Sequence, residues 1–240
     1  MSIKSFVETF RTLIYAVLIA LVVRTFFFEP FNIPSGSMKP TLLVGDYLFT
    51  SKYSYGYSRH SFPFSFPPFE GRIWEALPER GDVAVFKLPA DDRTDYIKRI
   101  VGLPGDRLQM RDGVLHVNDE PVAQTLLDPF VDEDLQGREI ARFLETLPGG
   151  RTYEVLDMLQ PGPLDSTRVF EVPEGHLFAM GDNRDNSQDS RSAFVGFVPV
   201  ENLVGRAEFI FFSTDGSARL WEIWKWPFAI RYGRLFQGID

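Results

Sequence analysis

Residues 82–122 read DVAVFKLPADDRTDYIKRIVGLPGDRLQMRDGVLHVNDEPV. Short runs rich in Val, Ile, Leu and Phe are separated by Pro, Gly, Asp and Asn. That is the pattern of strands joined by tight turns. Asp82 to Pro89 predicts a first strand and Asp95 to Gly102 a second. Leu103-Pro104-Gly105-Asp106 predicts a turn into a third, and Asp112-Gly113 is a two-residue hairpin signal before VLHVN. The stretch is therefore expected to form a β-meander. β texture returns at Arg168 to Val172, His176 to Met180 and Phe194 to Phe212. The chain between, Gln124 to Pro163, is less regular. Arg138 to Leu147 and Arg151 to Met158 predict strands around Pro148-Gly149-Gly150, so 124–163 reads as an inserted hairpin with loops. The fold class expected is mostly β, with antiparallel sheets.

Upstream, Thr12 to Val23 carries no charge. A membrane span needs about 20 apolar residues, reached here by extension toward Phe6 and Phe26-Phe27-Phe28. Glu8, Arg11 and Arg24 lie near the ends, where arginines reach the headgroups. A cleaved leader lacks its small-residue site, because RTFFFEPFN follows. A buried core helix fits apolarity on all faces less well than lipid does. The expected organisation is a short tail at 1–11, one transmembrane helix at 12–28, a β domain at 29–240 and an aromatic tail at 218–240. Lys4, Arg11 and the amino terminus place the N-terminus in the cytoplasm and the domain outside, with Arg24 arguing against.

The 240 residues suit one large domain or one and a half ordinary ones. The net charge of −8, with no basic run, excludes a typical nucleic-acid binder. With no cysteine, disulfides, thiolate metal sites and a cysteine nucleophile are excluded. His60, His116 and His176 are isolated, which argues against a zinc site or a Ser-His-Asp triad; no metal or cofactor is expected. Tyr53 to Phe69, YSYGYSRHSFPFSFPPF, is a Pro-rich aromatic loop. Either it dips into a membrane interface or it packs on the domain.

Three polar stretches carry possible chemistry. In Phe31 to Asp46, FNIPSGSMKPTLLVGD, Pro34 and Gly36 constrain a turn around Ser37. The serine is either held out toward a partner or part of an ordinary Ser/Gly/Pro loop. Lys98 sits on the second predicted strand, where alternation puts Tyr96, Lys98 and Ile100 on one face and Ile97, Arg99 and Val101 on the other. An inward Lys98 would have a depressed pKa and could take a proton from a serine; an outward one is simply solvated. Gly181 to Arg191, GDNRDNSQDSR, is an ordered polar loop or a solvated one, and it fails the calcium-loop pattern for want of a Gly at the sixth position.

Together, PSGSMKPTL, YIKRIVGLPGD and GDNRDNSQDSR, in this order behind an N-terminal anchor, resemble the bacterial type I signal peptidases, or leader peptidases. The resemblance runs from the anchor to about Phe212, loosely over 124–163. It implies an antiparallel β catalytic domain and a Ser-Lys serine endopeptidase. Ser37 is then the nucleophile and Lys98 the general base. Ser35 supplies its hydroxyl to the oxyanion hole beside the Ser37 N–H. Ser187 orients the lysine amine, Asp189 and Arg191 form a supporting ion pair, and Asp182 and Arg184 match further positions of that loop. Ile33, Met38, Leu42, Tyr96 and Ile97 line a shallow apolar pocket. The implied partners are exported preproteins with Ala-x-Ala-like sites, added as a strand along a sheet edge, and the lipid bilayer. The implied location is the bacterial plasma membrane, single-pass, with the domain on the extracytoplasmic side and the protein a monomer. The aromatic segment LWEIWKWPF, with Trp221, Trp224, Trp226 and Phe228, rests in the interface or packs on the domain. The rival readings are another Ser-Lys peptidase, such as a self-cleaving repressor, and a membrane-tethered β scaffold that binds exported chains without cutting them.

Overall fold

The computed structural model describes residues 3–62, 65, 68–218 and 221–239. Pro63 and Pro67 of the aromatic loop, and parts of the expected tails, lie outside the described residues. The chain opens with helix α1 (Ile3–Phe26). Residues 7–26 have a mean hydropathy of 1.7, and each side chain from Val7 to Arg24 is exposed. An exposed helix that is apolar on all sides is matched to lipid, not water. The helix was expected over 12–28; it starts earlier and stops before Phe28. Pro30 biases Glu29 toward an extended backbone, and residues 28–32 pair with a neighbouring strand instead. Arg24, near the helix end, pairs with Glu29 at 2.8 Å.

The first half of the domain supplies strands β1 (Phe28–Asn32), β2 (Asp46–Ser51), β3 (Val83–Lys87), β4 (Asp95–Gly102), β5 (Arg107–Arg111), β6 (Val114–Val117) and β7 (Glu120–Pro121). The second half supplies β8 (Ala123–Asp132), β9 (Arg138–Thr146), β10 (Thr152–Asp157), β11 (Phe170–Glu171), β12 (His176–Met180), β13 (Val198–Pro199) and β14 (Leu203–Ser213). One sheet has the order β1-β2-β14-β3-β4-β12-β13, a second β10-β9-β8 and a third β11-β5-β6-β7. The strand pairs are antiparallel. The protein is mostly β, as its alternation predicts.

β3 sits centrally in the large sheet, which is why it reads as a nearly unbroken apolar run. Its Ala84 and Phe86 pack with Ile100 and Leu177, while Val83 packs with Ile33, Met38 and Leu42 on the opposite face. The expected meander divides. β3 and β4 stay in the large sheet, whereas β5, β6 and β7 belong to the small one. The Leu103–Asp106 turn makes the transfer: Asp106 Oδ2 accepts from the Leu103 N–H at 2.6 Å and pairs with Arg80 at 2.8 Å. The two sheets share a core, since Val101 at the end of β4 packs with Leu108, Met110 and Phe178.

In the 124–163 region β9 and β10 lie where strands were expected. β8 was not read as a strand. It contains Pro129, and its register shifts between Leu127 and Phe130. As the edge strand of its sheet it accommodates a proline, because the missing N–H need not pair outward. The reading of β texture from Phe194 also needs narrowing. Val200–Asn202 is a 3₁₀ turn, and the long strand begins only at Leu203. At the C-terminus, Arg231 donates to Val44 O at 2.8 Å and Arg234 to Thr41 O at 2.9 Å. The tail is thereby docked on the loop after Ser37, while Trp221, Trp224 and Phe228 keep most of their surface exposed.

Candidate active site

Ser37 lies in a single 3₁₀ turn, Gly36–Met38, entered from Ser35 in an extended conformation. Pro34 fixes its own φ and biases Ile33 toward an extended backbone, so the chain approaches Ser35 extended. The two arms of the loop are tied together by Ile33 N–H to Asp46 O at 2.8 Å and Gly45 N–H to Ile33 O at 3.0 Å. Lys98, on β4, reaches the same point from the sheet. Its Nζ donates to Ser37 Oγ at 2.7 Å and to Ile97 O at 2.9 Å, and lies 5.4 Å from the Tyr96 ring centre. Ser37 and Lys98 are both buried. Burial lowers the Lys98 pKa to about 8, against a smaller opposing pull from Asp189 and Asp182. Desolvation penalises the ammonium more than the amine, so the neutral amine becomes a major form as pH approaches 8 rather than only above about 10.

The GDNRDNSQDSR loop follows β12 and is held by ion pairs. Arg191 grips Asp189, with Nε to Oδ1 and Nη2 to Oδ2 both at 2.9 Å, and also donates to Arg184 O at 2.6 Å. Burial opposes the Asp189 charge, but Arg191 outweighs it and holds the carboxyl below its usual pKa. Asp182 is bound by Arg99 through two 2.9 Å contacts, and Thr41 Oγ1 donates to it at 2.6 Å. Arg184 pairs with buried Glu145, which also accepts from Tyr153 Oη at 2.6 Å.

Ser35 is exposed at the rim, with its Oγ 3.4 Å from Ser37 Oγ. Ser187 borders the same cleft as Ser37 and Lys98 but makes no hydrogen bond to the lysine. Its hydroxyl is buried without a hydrogen-bond partner, and the Lys98 amine bonds Ser37 and Ile97 instead. Pro34, Ser37, Tyr96, Ile97, Ser187 and Gln188 border a cleft. Tyr96 and Ile97 thus line it. Ile33, Met38 and Leu42 do not: they are buried beneath the Ser37 turn and offer a substrate no free surface.

Several residues at the site were not anticipated. Asn183 donates its N–H to Ser37 O at 3.1 Å and its side-chain amide to Gly36 O at 3.0 Å. The Arg99–Asp182 pair had a sequence signal, a charged residue alternating inward on an apolar strand. Glu145 had none, because its partner lies in a distant loop. Gly181 is required for space. A Cβ there would fall 2.2 Å from Ser187 Oγ and 2.5 Å from Ser37 O. Gly181→Ala is therefore expected to lower both Tm and kcat/KM, the latter by about tenfold or more since small misplacements of reacting groups are costly; calorimetry and a peptidase assay check this.

A family model described as signal peptidase, peptidase S26, matches residues 6–212. The chain belongs to the signal peptidase family. Signal peptidase I of Rickettsia typhi is 42% identical to it over 98% of this chain and 95% of the relative. Signal peptidase I of Rickettsia canadensis is 41% identical over 98% and 94%. A crystal structure of a signal peptidase I from Enterococcus faecalis, 26% identical, covers 55% of this chain and 97% of its own, with a TM-score of 0.33. As a signal peptidase, this chain is a peptidase that removes signal peptides, and its apolar N-terminal helix fits a membrane-anchored member of the family.

Proposed function

We propose that this signal peptidase is a membrane-bound Ser-Lys endopeptidase that cuts exported preproteins after small-x-small, Ala-x-Ala-like sites. The observation that carries the reading is the 2.7 Å contact between Lys98 Nζ and Ser37 Oγ in a buried setting. The neutral Lys98 amine takes the Ser37 proton as Oγ attacks the scissile carbonyl carbon. The oxyanion is met by the Ser37 N–H and the Ser35 hydroxyl, donors whose preorganisation supplies a large electrostatic stabilisation. The Lys98 ammonium then protonates the leaving amine, and the amine form next activates water to hydrolyse the acyl-enzyme. Asp182, Arg184, Ser187, Asp189 and Arg191 support the two loops that hold this pair.

The substrate adds as a strand to β4. β12 pairs with β4 only from Arg99 onward, while β3 covers the other side of Asp95–Lys98. The edge at Tyr96 to Lys98 therefore faces the cleft, and backbone pairing there gives affinity without demanding particular side chains. Tyr96 and Ile97 border the cleft in which the small side chains of the substrate are placed. α1 spans the plasma membrane with the N-terminus in the cytoplasm and the domain outside, and the exposed aromatic rings of 221–228 rest in the lipid interface. Ser37 and Lys98 come from one chain, so the proposed chemistry needs no second copy, and the enzyme is proposed to act as a monomer.

The test mixes the detergent-purified protein with a preprotein carrying an Ala-x-Ala site and follows the products by mass spectrometry. A single cut after the second alanine, absent with Ser37→Ala, is expected. Binding without cutting, or a cut that survives Ser37→Ala, overturns the proposal. The lysine base also sets a pH profile. With a folded pKa of about 8, kcat/KM falls as pH drops through that value, by about a hundredfold at pH 6 relative to the alkaline plateau.

A further inference from the structure

A second buried lysine stands two residues from Ser37. Lys39 is almost wholly buried, which is costly for an ammonium without partners. Its Nζ meets Asp132 Oδ1 at 2.5 Å and Asp134 Oδ2 at 2.6 Å. Both carboxylates come from the tip of the β8–β9 hairpin. There Asp132, itself buried, accepts from the Asp134 N–H at 3.0 Å and so caps the turn Glu133–Leu135. The base of the same hairpin is fixed elsewhere: Glu145 on β9 holds Arg184 of the polar loop. The hairpin thus touches the site at both ends, at the nucleophile turn through its tip and at the GDNRDNSQDSR loop through its base.

The lysine stem continues the contact to the reacting residue. A Cβ at Gly36 would lie 3.3 Å from Lys39 Cε and 3.4 Å from its Cδ, so the stem packs beside Gly36 where a side chain there would point. Asn183 holds this turn from the other loop, through the consecutive carbonyls Gly36 O and Ser37 O. We infer that Lys39, anchored by Asp132 and Asp134, is a positioning residue that clamps the Gly36–Ser37 peptide, and that the 123–146 hairpin serves to hold this clamp. The inference deepens the Ser-Lys reading, on which its kinetic consequences rest. The clamp fixes the direction of the Ser37 N–H and Oγ without touching substrate or Lys98. Its loss therefore lowers turnover and leaves binding and the base untouched.

The test compares Lys39→Met, Lys39→Arg and Asp132→Asn/Asp134→Asn with the parent, each assayed well below its own Tm and normalised to folded protein. Lys39→Met is expected to lower kcat about tenfold or more, since misplacement of a reacting group is costly, with KM within about twofold and the acidic limb of the pH profile unmoved. Lys39→Arg, which keeps a positive charge beside Asp132 and Asp134, is expected to recover part of the kcat that Lys39→Met loses. The combination of Lys39→Met with the two Asn substitutions is no worse than Lys39→Met alone, because the groups act as one unit. Hydrogen exchange supplies a readout independent of cleavage: protection of the residue-39 and Asn183 N–H groups, which donate to Gly36 O and Ser37 O, falls in Lys39→Met and in the Asn pair alike. Unchanged kcat per folded molecule with unchanged exchange overturns the clamp, as does Lys39→Arg failing as badly as Lys39→Met. If the parent cuts no preprotein, the peptidase reading fails on its own, and the exchange data still decide the clamp.

Discussion

Lys98→Met lowers kcat/KM for a preprotein by about a thousandfold or more while leaving the protein folded. Methionine keeps most of the stem, so packing against Tyr96 and the Ser37 turn survives, but no group remains to take the Ser37 proton. The stability consequence has the opposite sign. Burial lowers the Lys98 pKa in the folded state to about 8, below its ordinary value of about 10.4 in the unfolded chain. Between those values the unfolded state binds more protons, so stability rises with pH across the window and the cost of burying the ammonium is fully present below it. That cost is of the order of 3 kcal/mol. At pH 7 Lys98→Met should therefore melt at or above the parent, with the difference shrinking as pH is raised from 8 toward 10. An inactive variant that is no less stable separates lost chemistry from lost structure. A Lys98→Met variant with near-parental kcat/KM contradicts the assignment of the base.

Arg99→Met is expected to produce the largest loss of stability. Arg99 and Asp182 are both almost completely buried, bonded through two nitrogens and two oxygens. Arg99 also donates to Gly81 O at 2.7 Å and lies 4.2 Å from the Tyr153 ring centre. Removing the guanidinium leaves the Asp182 carboxylate with Thr41 as its remaining side-chain donor. Breaking a buried pair from one side costs about 3–5 kcal/mol, because a charge is left uncompensated. Against a total stability of about 5–15 kcal/mol, this is a large fraction. Asp182 also bonds Leu156 N–H through its carbonyl at 2.8 Å, so the polar loop loosens with it and activity falls as well. Replacing both partners, as in Arg99→Met with Asp182→Leu, should recover part of the loss. Denaturant unfolding of the three variants in detergent checks the order; a double variant less stable than either single one contradicts it.

The parts of this structure that were legible in the sequence are those with local causes. Alternation and turn residues marked β3 to β6, and the apolar run marked α1. The motif order pointed to Ser37, Lys98 and the polar loop before their meeting was visible. What stayed hidden depends on contacts between distant segments. The Leu103–Asp106 turn reads as an ordinary meander turn, yet Asp106 and Arg80 use it to carry the chain into another sheet. β8 was concealed by Pro129, which an edge strand tolerates. Ile33, Met38 and Leu42 are apolar and adjacent to Ser37, but adjacency did not reveal that they face the core beneath the turn and not the cleft. Lys39 looks like a solvated loop lysine until Asp132 and Asp134 are seen beside it.

The central claim is that Lys98 is a neutral amine when it meets Ser37. The direct measurement is an NMR titration of the detergent-solubilised protein carrying ¹³Cε-labelled lysine, with the Lys98 signal assigned by its loss in Lys98→Met. A midpoint near 8, coincident with the acidic limb of kcat/KM, is the predicted result. A Lys98 midpoint near the ordinary lysine value of about 10.4, with an enzyme already fully active at pH 7, would contradict it.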